Sequence, residues 1–210
     1  MKNNKSKDSF YKNMKLNYEF YNTDALTLAK KLLGKIIVRN INGKKVKCMI
    51  TETEAYVGPE DKACHAYNNK KTKRTKVMFK KAGISYIYLI YGMYHCFNIV
   101  CGDVGKPEAV LIRSVKPING IKVIKKNRDI KSNKLYDLTN GPGKLCQAMS
   151  IDMSFNDYNL VEGDIFYLEE NKEIYDFNMS SSPRINIDYA KDYKNKPWRF
   201  FIKDSSFLSK

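Results

Sequence analysis

Long apolar stretches are missing from this sequence, and no run approaches the roughly 18 residues that a membrane-spanning helix needs. The opening Met1-Lys2-Asn3-Asn4-Lys5-Ser6-Lys7-Asp8 is basic with no apolar segment behind it, so neither a secretory signal nor a membrane is expected. Histidine is scarce, at 2 in 210 residues, and the 5 cysteines are odd in number and show no CxxC spacing. Cys64-His65 and His95-Cys96 pair soft ligands without zinc-site spacing, so no metal and no cofactor are expected. An odd cysteine count in a chain too long to need staples points to reduced thiols and a cytoplasmic setting. Acidic residues are also few: 22 Asp+Glu face 38 Lys+Arg, a formal charge of +16. A surface of that sign attracts polyanions.

What is present is a core. With 43% hydrophobic and 12% aromatic residues, the chain can fold as one domain of its length. The Lys/Asn-rich residues 1–14 read as a flexible basic tail, and residues 15–210 as a single domain. Lys70, Lys71, Lys73, Arg74, Lys76, Lys80 and Lys81 form one acid-free basic stretch. A second runs from Lys116 to Lys134, relieved only by Asp129. Solvated faces explain such stretches as well as a polyanion does. Asp24 offers an N-cap to a helix that Gly34 stops, and Asn42-Gly43 is a hairpin signal between strands from Ile36 and Lys44. Further strands are predicted at 85–91, 94–101, 109–115, 165–168 and 198–203, with helices near 120–128 and 144–150. Hairpins dominate, which gives an α+β fold.

Alternation on the strand after Asn42-Gly43 places Val46, Cys48, Ile50, Glu52, Glu54 and Tyr56 on one face, unless a bulge intervenes. A carboxylate at the edge of a core is poorly solvated, which raises its pKa and suits a general base; a strand that has left the core explains it equally. Two carboxylates at i and i+2 lie only about 7 Å apart on one side. That is a poor match to a glycoside hydrolase, whose acid and nucleophile flank the sugar. Tyr86 and Tyr88 fit core packing, but Tyr91, Met93 and Tyr94 fall at a Gly92 turn, where a bulky tip can wedge into a base stack. Arg113 shares a face with Leu111 and Val115 and so needs a carboxylate or phosphate partner. Gly141-Pro142-Gly143-Lys144 opens a helix whose free N–H groups suit a phosphate, although it is no Walker loop.

Together these segments resemble the alkyladenine (3-methyladenine) DNA glycosylase family. The matching stretches are Thr51-Glu52-Thr53-Glu54-Ala55-Tyr56-Val57-Gly58-Pro59-Glu60-Asp61, Cys64-His65-Ala66, Thr72-Lys73-Arg74 and the run from Tyr86 through Tyr94 to Asn98. Val110-Leu111-Ile112-Arg113, Asn140-Gly141-Pro142-Gly143-Lys144-Leu145 and Lys196-Pro197-Trp198-Arg199-Phe200 complete the order, from about residue 17 to 203. The resemblance implies a compact domain around a curved, mainly antiparallel sheet with a protruding β-hairpin and flanking helices. It implies Glu54 and Arg113 as catalytic residues, and Tyr56, His65, Tyr88 and Asn98 around a flipped base. Tyr91 would fill the vacated stack, with Thr72, Arg74, Met93, Tyr94 and Lys144 along the DNA backbone. The implied partner is double-stranded DNA carrying a damaged purine, bound by a monomer that is nucleoid-associated while on DNA. Gly143 stands where serine is common, and Ala82 where proline is, both apart from this chemistry. The rival readings are a non-catalytic basic nucleic-acid-binding protein and an RNA-directed hydrolase.

Overall fold

The structure, a computed structural model, describes residues 14–173 and 176–209, so residues 1–13 of the expected tail lie outside the described residues. A short helix α1 (Tyr18–Tyr21) leads into α2 (Ala25–Lys31), whose N-cap Asp24 accepts a hydrogen bond from the Thr27 N–H at 2.9 Å. Gly34, at φ +79°, turns the chain into β1 (Ile36–Ile41). Asn42 and Gly43 both take positive φ, as a type I′ turn demands, and return the chain as β2 (Lys44–Val57). There follow β3 (Ser85–Ile90), β4 (Tyr94–Cys101), β5 (Glu108–Asn119), α3 (Ile121–Arg128), α4 (Pro142–Ala148), β6 (Phe166–Glu169), β7 (Met179–Ser182) and β8 (Arg199–Ile202). Helix α4 starts two residues before its expected position because Pro142 fits the first turn. No helix among the described residues is long and apolar enough to cross a membrane.

The strands form one sheet in the order β3-β4-β5-β2-β1-β6, and β8 joins β2 beyond the end of β1, carrying β7 at its outer edge. The named pairings are antiparallel, so the α+β expectation holds. One face buries Val46, Cys48, Ile50, Phe97, Ile99, Val110 and Ile112 against Leu28, Leu32, Leu145 and Phe166. A smaller cluster on the other face gathers Cys64, Met78, Tyr86, Val100 and Ala109, with Tyr56 and Tyr88 packed on it.

The expected alternation along β2 fails, and the pairing register explains why. Ile50 pairs with Val115, Glu52 with Ser114, and Thr53 with Ile112. Thr51 is therefore an extra residue on β2 and Arg113 an extra residue on β5. Each bulge reverses inside and outside along its own strand, and because these two fall on opposite strands, the pairing past them returns to the register of Ile50 and Val115. Ile50 and Val115 face the main core, and so do Ala55, Ile112 and Val110 past the bulges. Thr53 turns to the same side, donating to the Ala29 carbonyl at 2.9 Å. Glu52, Glu54 and Tyr56 thus leave the face of Val46, Cys48 and Ile50, and Arg113 leaves that of Val115. The double bulge delivers two carboxylates and a guanidinium to the opposite side of the sheet.

Candidate active site

A single rung of the sheet runs beneath the site. Tyr86 pairs with Asn98, Asn98 with Leu111, Leu111 with Glu54, and Glu54 with Arg199. Direct partners project to the same face, so five strands contribute one row. A cavity of about 890 Å³ opens over it. Of the expected site residues, Tyr56, His65, Arg74, Tyr88, Tyr91, Tyr94, Asn98, Arg113 and Lys144 line this cavity. Glu54 is fully buried one layer behind, bonded to three lining residues. Thr72 and Met93 are not part of the lining; the Thr72 hydroxyl accepts from the Thr75 N–H at 3.2 Å within its own turn.

The two carboxylates are told apart by their partners. Glu52 receives Arg199 Nε at 2.5 Å and Ser209 Oγ at 2.7 Å on Oε1, and Ser114 Oγ at 3.0 Å and the Ser209 N–H at 2.6 Å on Oε2. Four donors fill the four lone-pair directions of a carboxylate, so Glu52 has no capacity left for chemistry. Glu54 receives the Ile185 N–H at 2.8 Å and Arg113 Nη1 at 3.3 Å on Oε1, but only the Tyr56 hydroxyl at 2.8 Å on Oε2. Among the described residues, Oε2 of Glu54 keeps one acceptor direction open. Burial alone would lower the pKa of Arg113; Glu54 and Glu52 more than offset it and raise it, so the cation is secure. Burial, reinforced by Glu54, pushes the Tyr56 phenol well up, which keeps it a donor.

The cavity wall is aromatic. His65 meets Tyr88 edge-on with ring centres 4.7 Å apart, and its Nδ1 lies 2.9 Å from the Tyr86 hydroxyl. Arg74 Nη2 lies 3.2 Å from His65 Nε2. A guanidinium has only donors, so Nε2 must accept and the imidazole proton resides on Nδ1. Burial and then the Arg74 charge lower the His65 pKa to about 4, so the ring is neutral at pH 7. Arg74, expected along the DNA backbone, has its guanidinium 4.6 Å from the centre of the Tyr88 ring. Asn98, beneath, donates its amide to the Tyr86 carbonyl at 3.1 Å.

Residues 19–206 match the model of the methylpurine-DNA glycosylase family. A protein of Natranaerobius thermophilus bearing the name "Putative 3-methyladenine DNA glycosylase" is 53% identical over 93% of this chain and 99% of its own length. Proteins of the same name from Clostridium botulinum and Desulfitobacterium hafniense are 47% and 45% identical over 94% and 93% of this chain, and cover 100% and 98% of themselves. The chain belongs to the methylpurine-DNA glycosylase family. It is a DNA glycosylase in the base-excision repair of alkylated purines, and its partner is DNA.

In this glycosylase the hairpin tip is Tyr91-Gly92-Met93 between β3 and β4, and Tyr91 is 75% exposed. Tyr91 takes φ +53°, a left-handed conformation that costs a non-glycine residue about 1–2 kcal/mol. Gly143, expected to stand apart from the chemistry, is part of the cavity lining. A Cβ there would lie 3.0–3.1 Å from Tyr94, so the missing side chain lets the tyrosine pack on the α4 turn. Lys144 donates to Asn140 Oδ1 at 2.7 Å, at the opening of the same helix.

The sequence reading missed the glycosylase's supporting residues. Arg184 is buried, binds both oxygens of Asp61 at 2.5 and 2.8 Å, and packs its guanidinium 4.8 Å from the Tyr56 ring centre. It also holds the Ala55 carbonyl at 2.9 Å and directly precedes Ile185, the backbone donor to Glu54. Ser114, Arg199 and Ser209 were equally unassigned. Arg199 lies within Lys196-Pro197-Trp198-Arg199-Phe200, the one local signal for any of them.

Proposed function

We propose that this glycosylase extrudes alkylated or deaminated purines, of the 3-methyladenine and hypoxanthine class, from double-stranded DNA. It hydrolyses their N-glycosidic bond as a monomer and leaves an abasic site. The observation that carries this reading is Glu54: buried, one lone pair short of saturation, and held beside Arg113 at the back of an aromatic cavity.

A base inside a duplex is out of reach, and extruding it costs a few kcal/mol of stacking. Tyr91 offsets part of that cost by entering the vacated place from the minor groove. Thr72, Met93, Tyr94 and Lys144 contact the backbone. Arg74 joins them after the incoming base displaces it from Tyr88. The base lies against Tyr56, Tyr88 and His65, whose neutral ring and phenol faces favour a cationic alkylpurine by roughly 0.5–2 kcal/mol per contact. Asn98 at the floor rejects the exocyclic amine of guanine. Water reaches the buried Glu54 when the entering base shifts the wall residues. The water oxygen bonds to C1′, its proton passes to Glu54, and the electron pair of the C1′–N bond leaves with the base. Arg113 holds a positive charge beside Glu54 throughout.

Lys144 is the lysine of the cavity lining, and it is tied to Asn140, so no amine attacks C1′ and the DNA strand is not cut. The test incubates the protein with duplexes containing hypoxanthine or 3-methyladenine and divides each reaction between alkali and borohydride. Alkali-labile sites without a borohydride-trapped adduct are expected. No release from either duplex would leave a non-catalytic nucleic-acid-binding protein, and a trapped adduct would replace water with a lysine.

A further inference from the structure

The C-terminal segment after β8 returns to the sheet at the double bulge. Phe207 is buried, and its carbonyl accepts from the Thr51 hydroxyl at 3.3 Å, which pins the segment to the extra residue of β2. Two residues on, Ser209 reaches the lining of the cavity. Its backbone N–H donates to Glu52 Oε2 at 2.6 Å and its hydroxyl to Glu52 Oε1 at 2.7 Å. The same hydroxyl oxygen accepts from Arg113 Nε at 3.1 Å. One hydroxyl thus links the saturated carboxylate to the guanidinium that supports Glu54.

Arg113 stands between two fully buried carboxylates, with Nε 3.3 Å from Glu52 and Nη1 3.3 Å from Glu54. Both distances are long for a charge-assisted hydrogen bond, so either anion could draw the guanidinium closer. The Ser209 hydroxyl satisfies both Glu52 and Nε, and so removes the incentive for Arg113 to move toward Glu52. We propose that Ser209 is a positioning residue of the excision reaction, acting through Glu52 and Arg113 to hold the guanidinium on Glu54. The C-terminal segment is then a working part of the active site. This rests on Glu54 being the base, and the experiment separates the two claims.

Single-turnover cleavage of a hypoxanthine duplex is measured for the parent, Ser209→Ala, Ser209→Thr and Glu54→Gln, with duplex affinity determined alongside. Ser209→Ala keeps the backbone donor to Glu52 and removes only the hydroxyl. Its rate should fall about ten- to a hundredfold, the size of one charge-assisted hydrogen bond, with duplex affinity unchanged. Ser209→Thr restores the hydroxyl and should restore the rate. Should Ser209→Ala fail to fold, Ser209→Cys, a weak donor of similar size, takes its place with the same expectation. Parent-like cleavage by Ser209→Ala with an inactive Glu54→Gln overturns the role of Ser209 and leaves the glycosylase mechanism standing. Equal losses in Ser209→Ala and Ser209→Thr, or a loss of duplex affinity that matches the loss of rate, also overturn it. An active Glu54→Gln removes the base itself, and the proposal with it.

Discussion

Around Glu52 and Glu54, nearly every polar atom has a named partner and solvent is excluded, whereas Tyr91 at the hairpin tip leaves 75% of its surface in water. The two regions border one cavity. At the carboxylate rung, five strands, a tail and a buried ion pair fix a few oxygens in place. At the tip, a strained backbone holds an aromatic ring that nothing in the described protein covers. Under the proposed mechanism the contrast separates two ways of preparing a site: chemistry is set up by over-determined neighbours, and recognition of a large ligand by a group left without them.

The sharpest attack on the rung is Glu54→Gln. The amide keeps the shape but cannot take a proton, so single-turnover base release should drop by at least the roughly 10²–10⁴-fold that general-base catalysis supplies, while duplex binding persists. Near-normal cleavage would dissolve the distinction between rung and tip. Next is Asp61→Asn, which leaves the Arg184 guanidinium buried beside Tyr56 without its counter-charge. A loss of about 3–5 kcal/mol in denaturant unfolding is expected, and a change below about 1 kcal/mol would mean that the ion pair is replaceable.

Substitution at the tip should behave in the opposite way. Tyr91→Gly removes the left-handed strain, so stability should hold or rise by up to about 1 kcal/mol. Cleavage of duplex should nevertheless fall by about five- to a hundredfold, the worth of one stacked base, and cleavage of single strands much less. Equal losses on both substrates would place Tyr91 with the rung instead.

His65 lies between the two regimes, and its effect is read in pH. Its folded pKa, about 4, is below the usual 6.5, so the unfolded chain binds the extra proton in between. Stability should therefore fall as pH drops from about 6.5 to 4, by up to about 3 kcal/mol. The difference between parent and His65→Gln unfolding across that window isolates this share. A flat difference would show that the ring is not buried neutral.

The legible parts of this molecule were those set by local chemistry. Asn42-Gly43 announced its hairpin because few residues accept two successive positive φ angles, and Asp24 announced α2 through its cap. Tyr91 was legible because a ring beside a glycine turn cannot fold back into a core. The wrong face for Glu54 has a definite cause: Thr51 and Arg113 are ordinary strand residues, and a bulge leaves no mark in composition. Strand β7 escaped because Met179-Ser180-Ser181-Ser182 is polar and half exposed at a sheet edge. Arg184 and Ser209 escaped because the carboxylates they bind are more than 120 residues away in the chain, beyond the reach of any local pattern.

The paired bulges also restrict how such a site can be inherited. Loss of the codon for Thr51 would remove the extra residue itself, so Ile50 and Glu52 would become direct neighbours on opposite faces and Glu54 would keep its side of the sheet. Loss of Arg113 would likewise leave Ser114 and Ile112 on their present faces, but would take the guanidinium away. Loss of Thr53 with the bulge kept would instead carry Glu54 round to the apolar core. The extra residues are thus the points at which these strands can shorten without turning the carboxylates, and of the two only Thr51 can go without removing a charge from the site.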